Sequence, residues 1–332
     1  MRLVVPGLFG LLSISVLAQG SAGPAGQPAV PRDVAVTSIA GVISGGATWT
    51  IAWQGADNAD GLVGMPDGGV LFAQEQTSRV RKLEQDGTVS VYAANTGGAG
   101  SVALDSAGRL IAVQRTCTDP GLTAPCSEPT RIAIIHPDQD RRVLAETFEG
   151  KTLGRLNDLV VSRQGVVYFT SGGAYSVRPG GTVVSLGENL RTNGIMLSPN
   201  EKVLYITNGP VIAAFDVQAD GSVKNQREFG KLEGGVNGDG MAIDSTGRLY
   251  VTTNPGVQVL SPEGKFLGLI PTHRNSITLA FSGPNKKTLF VGCTGALGPD
   301  GKEITTPAGV RNTAMTVYAI LMQAQGFKGR AK

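Results

Sequence analysis

Short apolar runs return along the chain in pairs, each pair split by a polar turn. The second members read GVLFAQ from Gly69, RLIAVQ from Arg109, VVYFTS from Val166, VLYITN from Val203, RLYVTT from Arg248 and TLFVGC from Thr288. The turns before them are PDGG, SAG, RQG, PNEK, STG and PNKK, and the first members are LVGM, VALD, LVVS, IMLS, MAID and LAFS. Runs of this length, rich in Val, Ile, Tyr and Phe and bounded by Gly, Asn and Asp, predict strands joined by tight turns. The unit returns six times at a spacing of roughly 35 to 57 residues, the interval of a four-stranded blade. Further strands are expected within the blades, as in RVRKLEQDGTVSVYA, RIAIIHPDQDRRVLA and VQVLSPEGKFLGLI. The prediction is an all-β, six-bladed β-propeller, with ATWTIAW near the N-terminus closing the ring against the last blade. A β-sandwich would not explain one phrase repeated six times.

The repeats can be laid over one another by counting back from the first apolar residue after each turn. Asp60, Gly100, Asn157, Asn193 and Asp239 then fall at equivalent places, and blade six contributes Thr278. That place is the start of the innermost strand, so the six positions should crowd one mouth of the central channel. Singly, Asp-Gly and Asn-Gly are ordinary turn dipeptides. Recurring at one ring position, two carboxylates (Asp60, Asp239) and two amides (Asn157, Asn193) make a set of oxygen donors that a hard cation would satisfy. Ca²⁺ is the expected ion, with Mg²⁺ or Mn²⁺ as substitutes and Zn²⁺ less natural. The chain has 2 His, so a His-rich zinc site is excluded.

At these residues the sequence resembles the gluconolactonase / senescence-marker-protein (regucalcin) family of six-bladed propellers. The resemblance rests on EGKTLGRLNDLVVSRQGVVYFTS from Glu149, TNGIMLSPNEKVLYITN from Thr192 and GDGMAIDSTGRLYVTT from Gly238. It implies one divalent cation held by Asp60, Asn193 and Asp239, with Asn157 as a further ligand or a substrate contact. It also places Arg155 and Asp158 where some members contact substrate; a surface ion pair and a turn cap are the plainer roles for these two. There are departures. Asp60 stands where the family usually has Glu, Gly100 where blade two usually has Asn, and SGGAY replaces the phrase Asp-Pro-Pro-Tyr-Gly after blade three. Asp60, one methylene shorter, would draw the ion toward blade one or leave a gap for water.

The chemistry expected from that site is hydrolysis of a lactone (a sugar lactone or related ester) by a metal-activated water. Asp239 is the first candidate for the catalytic base, Asp158 the second, and Arg155 could hold the developing oxyanion. No G-x-S-x-G, G-x-G-x-x-G or P-loop motif competes with this reading. Two alternatives stand beside it: an organophosphate hydrolase on the same ion, and a non-catalytic propeller that binds a ligand or protein partner.

Composition and the N-terminus bound the partners and the location. Of 332 residues 47 are Gly, 17% are charged and 41% hydrophobic, and 29 basic against 26 acidic residues give +3. That balance, without blocks of one sign, asks for no nucleic-acid or anionic-membrane partner. The expected partner is the small-molecule lactone or ester substrate, and the protein is expected to be a monomer. Met1-Arg2, the apolar run Leu3–Val16 and the small residues before Gln19 read as a signal peptide over 1–18, hence export to the periplasm or medium. Residues 19–36 read as a flexible linker, 37–320 as the propeller and 321–332 as a C-terminal tail, with no membrane span. Cys117 and Cys126 flank a Pro/Gly-rich stretch and are expected to form a disulfide in an exported protein. Cys293, after LFVG, is expected to be a small buried hydrophobe.

Overall fold

A computed structural model describes residues 31–115, 129–305 and 314–330. The expected signal peptide and both cysteines of the expected disulfide lie outside the described residues.

Six four-stranded antiparallel sheets follow one another along the chain. Their innermost strands are Asp60–Gly64, Ala99–Leu104, Leu159–Val161, Thr192–Leu197, Met241–Ile243 and Ser276–Ser282. Each of the first five blades is an up-and-down meander in sequence order. Blade six takes its outermost strand, Thr50–Gly55, from the beginning of the chain, where Thr50 pairs with Ala319 and Gly55 with Met315. ATWTIAW therefore closes the ring as the pattern predicts.

Because every blade packs both faces on neighbours, its inner strands are buried along most of their length rather than alternating. Val63, Leu71 and Val80 of blade one pack with Val102, Leu110 and Ala112 of blade two. At the seam, Leu62, Val70 and Phe72 meet Ala280, Met315 and Val317 of blade six. Cys293 is fully buried in the blade-six cluster, as expected.

The flanking segments are packed. Val36, Ile39, Val42 and Ile43 join the apolar cluster of blades five and six. After blade six the chain crosses the far end of the channel. There Gly326 N–H donates to the Lys286 carbonyl, Phe327 N–H to that of Ile243, and Arg330 pairs with Glu201 at 3.1 Å. Lys286 Nζ returns hydrogen bonds to the Phe327 and Arg330 carbonyls at 3.1 and 3.0 Å. No helix among the described residues is long and apolar enough to cross a membrane.

Candidate functional site

Every inner strand starts at one mouth of the channel, and that geometry gathers Asp60, Asn157, Asn193 and Asp239 around one small void. Blade six departs from the sequence alignment. Thr170 of blade three donates to the Asn193 carbonyl of blade four at 2.5 Å, and Thr252 of blade five donates in the same way to Ile277 at 3.0 Å. Ile277, not Thr278, is thus the ring residue. Thr278 sits one place further on, equivalent to Asp158: Thr278 Oγ1 accepts from Leu62 N–H at 3.1 Å as Asp158 Oδ2 accepts from Ile195 N–H at 3.2 Å. The cause is the turn between Ser282 and Leu289, where a 3₁₀ segment at Pro284–Lys286 makes the connection longer than that of blade four.

The void amounts to about 10 Å³, room for one water- or ion-sized occupant and not for an organic substrate. Asp239 faces it. Burial, then the nearby charges of Asp60 and Asp158, push the Asp239 carboxyl well above the ordinary carboxylate range; Arg115 and a hydrogen bond with Asn193 pull the other way. Asn157 Nδ2 donates to Asn193 Oδ1 at 2.6 Å, so the two amides lie edge to edge beside it. The carboxylate charge crowded against Asp239, with neutral amide oxygens alongside, is a donor set that fits a hard divalent cation. It is a mixed set: among the described residues no group of three or more His, Cys, Asp or Glu side chains has the arrangement of a metal site.

Asp158 has a different place from its neighbours. Its Oδ1 accepts from Ser101 Oγ at 2.6 Å and from Leu159 N–H at 2.9 Å, and its Oδ2 from Ile195. It ties the inner strands of blades two, three and four together. Arg155 is half-buried two residues before Asn157 and does not line the void.

The structure adds a residue that the repeat alignment passes over. Arg115, at the end of blade two's second strand and 2% exposed, enters the site where Gly100 leaves blade two without a side chain. Its Nε donates to the Leu156 carbonyl at 2.8 Å, its Nη2 to the Asn157 carbonyl and, at 3.0 Å, to Asn157 Oδ1. Its Nη1 reaches Asp60 Oδ2 and Glu75 Oε2, both at 3.3 Å. Glu75 and Arg115 occupy equivalent places in blades one and two, each following an apolar strand that ends in Gln. Two opposite charges at one repeat position were the available signal.

Comparison with known proteins identifies the fold and the family. A gluconolactonase from Zymomonas mobilis is 29% identical over 184 residues, 46% of this chain and 52% of that protein. The chain thus spans about half the length of this curated relative. A Xanthomonas campestris gluconolactonase structure superposes with a TM-score of 0.68 at 22% identity, covering 91% of this chain and 99% of the other. A calcium-binding regucalcin from Agrobacterium tumefaciens gives 0.61 at 16%, covering 83% and 93%. At these identities the two structures speak to the fold alone. The sequence match over residues 59–295, from the start of blade one into blade six and through every ring position, is decisive: the chain belongs to the SMP-30/gluconolactonase/LRE-like family.

Proposed function

We propose that the protein is a lactone hydrolase that works at the channel mouth with one divalent cation, Ca²⁺ by its donor set. The observation that carries this reading is Asp239, a carboxyl held beside Asp60 and Asp158 at a void the size of an ion. Asp239, Asn193 and Asn157 would hold the cation, with Asp60 facing it. Once bound, such an ion polarises an ester carbonyl and acidifies a water molecule.

The chain's own residues supply the rest. The void is too small for a sugar ring, so the substrate lies over the mouth with its carbonyl directed inward. Asp239 takes the proton of the attacking water, because both oxygens of Asp158 already accept hydrogen bonds from Ser101, Leu159 and Ile195. Arg155, two residues before Asn157 but outside the void, would have to reach over the mouth to meet a substrate hydroxyl or the developing oxyanion. Export through residues 1–18 belongs to the same proposal. Mass spectrometry of protein recovered outside the cytoplasm should find Gln19 first, and a mass retaining Met1–Ala18 refutes it.

The test of activity is a panel of sugar and alkyl lactones followed by proton release, before and after EDTA and after Ca²⁺ is restored. Hydrolysis that stops with chelator and returns with Ca²⁺ is expected. If metal-loaded protein opens none of the lactones, the lactonase reading fails and the organophosphate-hydrolase and binding-module readings take its place.

A further inference from the structure

Arg115 is an unusual presence in a site proposed for a cation. A guanidinium has five N–H donors, and here five acceptors meet them: the Leu156 and Asn157 carbonyls, Asn157 Oδ1, Asp60 Oδ2 and Glu75 Oε2. No donor is left for a substrate, so Arg115 is not a substrate ligand. It is a permanent positive charge fixed inside the ring. Asp60 is committed as well. Its Oδ1 accepts from Gly61 N–H at 2.8 Å and its Oδ2 from Arg115.

We infer that Arg115 is a built-in counter-ion that competes with the divalent cation for Asp60, so that Asp60 contributes little to metal binding and the affinity of the site is set low. This rests on the proposed metal-dependent reading and deepens it. Three observations carry the inference. Gly100 leaves the ring position of blade two empty, and a Cβ there would fall 2.1 Å from Arg115 Nε, so the guanidinium and a blade-two side chain exclude each other. Glu75, buried behind Arg115, balances its charge and makes the burial of the cation tolerable. A guanidinium does not lose its proton in a protein, so ordinary pH changes cannot remove this competitor. Asp239 and Asn193 are not bonded to Arg115 and remain the principal ligands. Arg115 is thereby a positioning residue for Asp60 and Asn157, and the pair Glu75–Arg115 lowers an affinity that Asp239 and Asn193 chiefly supply.

The experiment is calorimetric titration of the full-length mature protein with CaCl₂, with circular dichroism confirming that each variant is folded. Asp239→Asn should weaken binding by about thirtyfold or more and Asp60→Asn by less than about threefold, because ligand charge sets affinity and Asp60's charge is already spent on Arg115. The double variant Arg115→Met/Glu75→Gln removes the cation and its balancing anion together and leaves the net charge of the cluster unchanged. That double variant should bind Ca²⁺ about tenfold more tightly, and adding Asp60→Asn to it should reverse the gain. If Asp60→Asn alone costs as much as Asp239→Asn, or if the double variant binds no more tightly, the inference is overturned. In either case chelator-sensitive lactone hydrolysis would leave the proposed function standing. If neither the parent nor any variant takes up Ca²⁺, nor Mg²⁺ or Mn²⁺ in parallel titrations, the inference and the metal-dependent reading fall together.

Discussion

Gly100 and Arg115 fit one another as an absent side chain and the group that fills its place. A Cβ on Gly100 would stand 2.1 Å from Arg115 Nε and 2.2 Å from Cζ. Gly100→Ala should therefore expel the guanidinium and strand the buried carboxylate of Glu75, at a cost of about 3–5 kcal/mol, the scale of breaking a buried ion pair. In an Arg115→Ala background the same change should cost under about 1 kcal/mol, because the space is then free. Urea unfolding of the four proteins measures the coupling. Additive costs would show that the two positions do not share the space.

Asp239 and Asp244 lie five residues apart, and substituting each in turn should separate function from folding. Asp239→Asn should lower lactone turnover by about 10² or more, the scale of losing a positioned base. Without added metal it should leave the unfolding midpoint unchanged or raised, since it relieves the repulsion from Asp60 and Asp158. Asp244 is a fully buried turn residue. It accepts from Thr246 N–H and Oγ1, Arg248 N–H and Nε, and Tyr250 OH. Asp244→Asn should cost about 1–3 kcal/mol and leave turnover per folded molecule at the parent value. Steady-state rates normalised to folded protein decide between them; a loss of turnover in Asp244→Asn would place that residue in the chemistry.

The far end of the channel should make stability depend on pH. Burial, reinforced by the charges of Arg330 and Lys328, pushes Lys286 down to about 8 from 10.5. The unfolded chain holds this proton more tightly than the folded one, so stability should rise with pH between 8 and 10.5 and be lost as pH falls through 8. Urea midpoints measured from pH 7.5 to 10 should climb more steeply in the parent than in Lys286→Met. Parallel curves would reject the assignment.

Saturating Ca²⁺ should raise the melting temperature of the parent by mass action, and EDTA should remove the gain. Asp239→Asn should reduce the shift sharply, in proportion to its weaker binding. Scanning calorimetry gives the answer, and an equal shift in that variant would put the ion elsewhere.

Much of this molecule is written plainly in its sequence. Six paired runs with Gly and Asn turns predict six blades, and the count from turn to ring finds Asp60, Asn157, Asn193 and Asp239 together at one mouth. Blade six slips by one residue because counting assumes a constant turn, whereas the turn at Pro284–Lys286 is longer, and Thr278 therefore stands in for Ile277. Arg115 escapes for another reason. It follows the second strand, and repeat alignment compares like positions, not a side chain reaching across to a gap left by Gly100. The Asp158 network is hidden similarly, since Ser101 and Ile195 come from blades on either side.

The closing strand ties Thr50 to Ala319, partners 269 residues apart. A ribosome must deliver nearly the whole chain before that sheet can be completed, so earlier blades wait with an open edge. Contacts of such separation slow folding, because the ends must meet before any of their pairing is rewarded. The same latch slows opening: once seated, the ring comes apart only by releasing the pairing of Thr50–Gly55 with Met315–Leu321 or by breaking a blade interface. Refolding and unfolding should both be sluggish, and a chain beginning after Gly55 should expose an unpaired strand edge and self-associate, which stopped-flow fluorescence and light scattering would reveal.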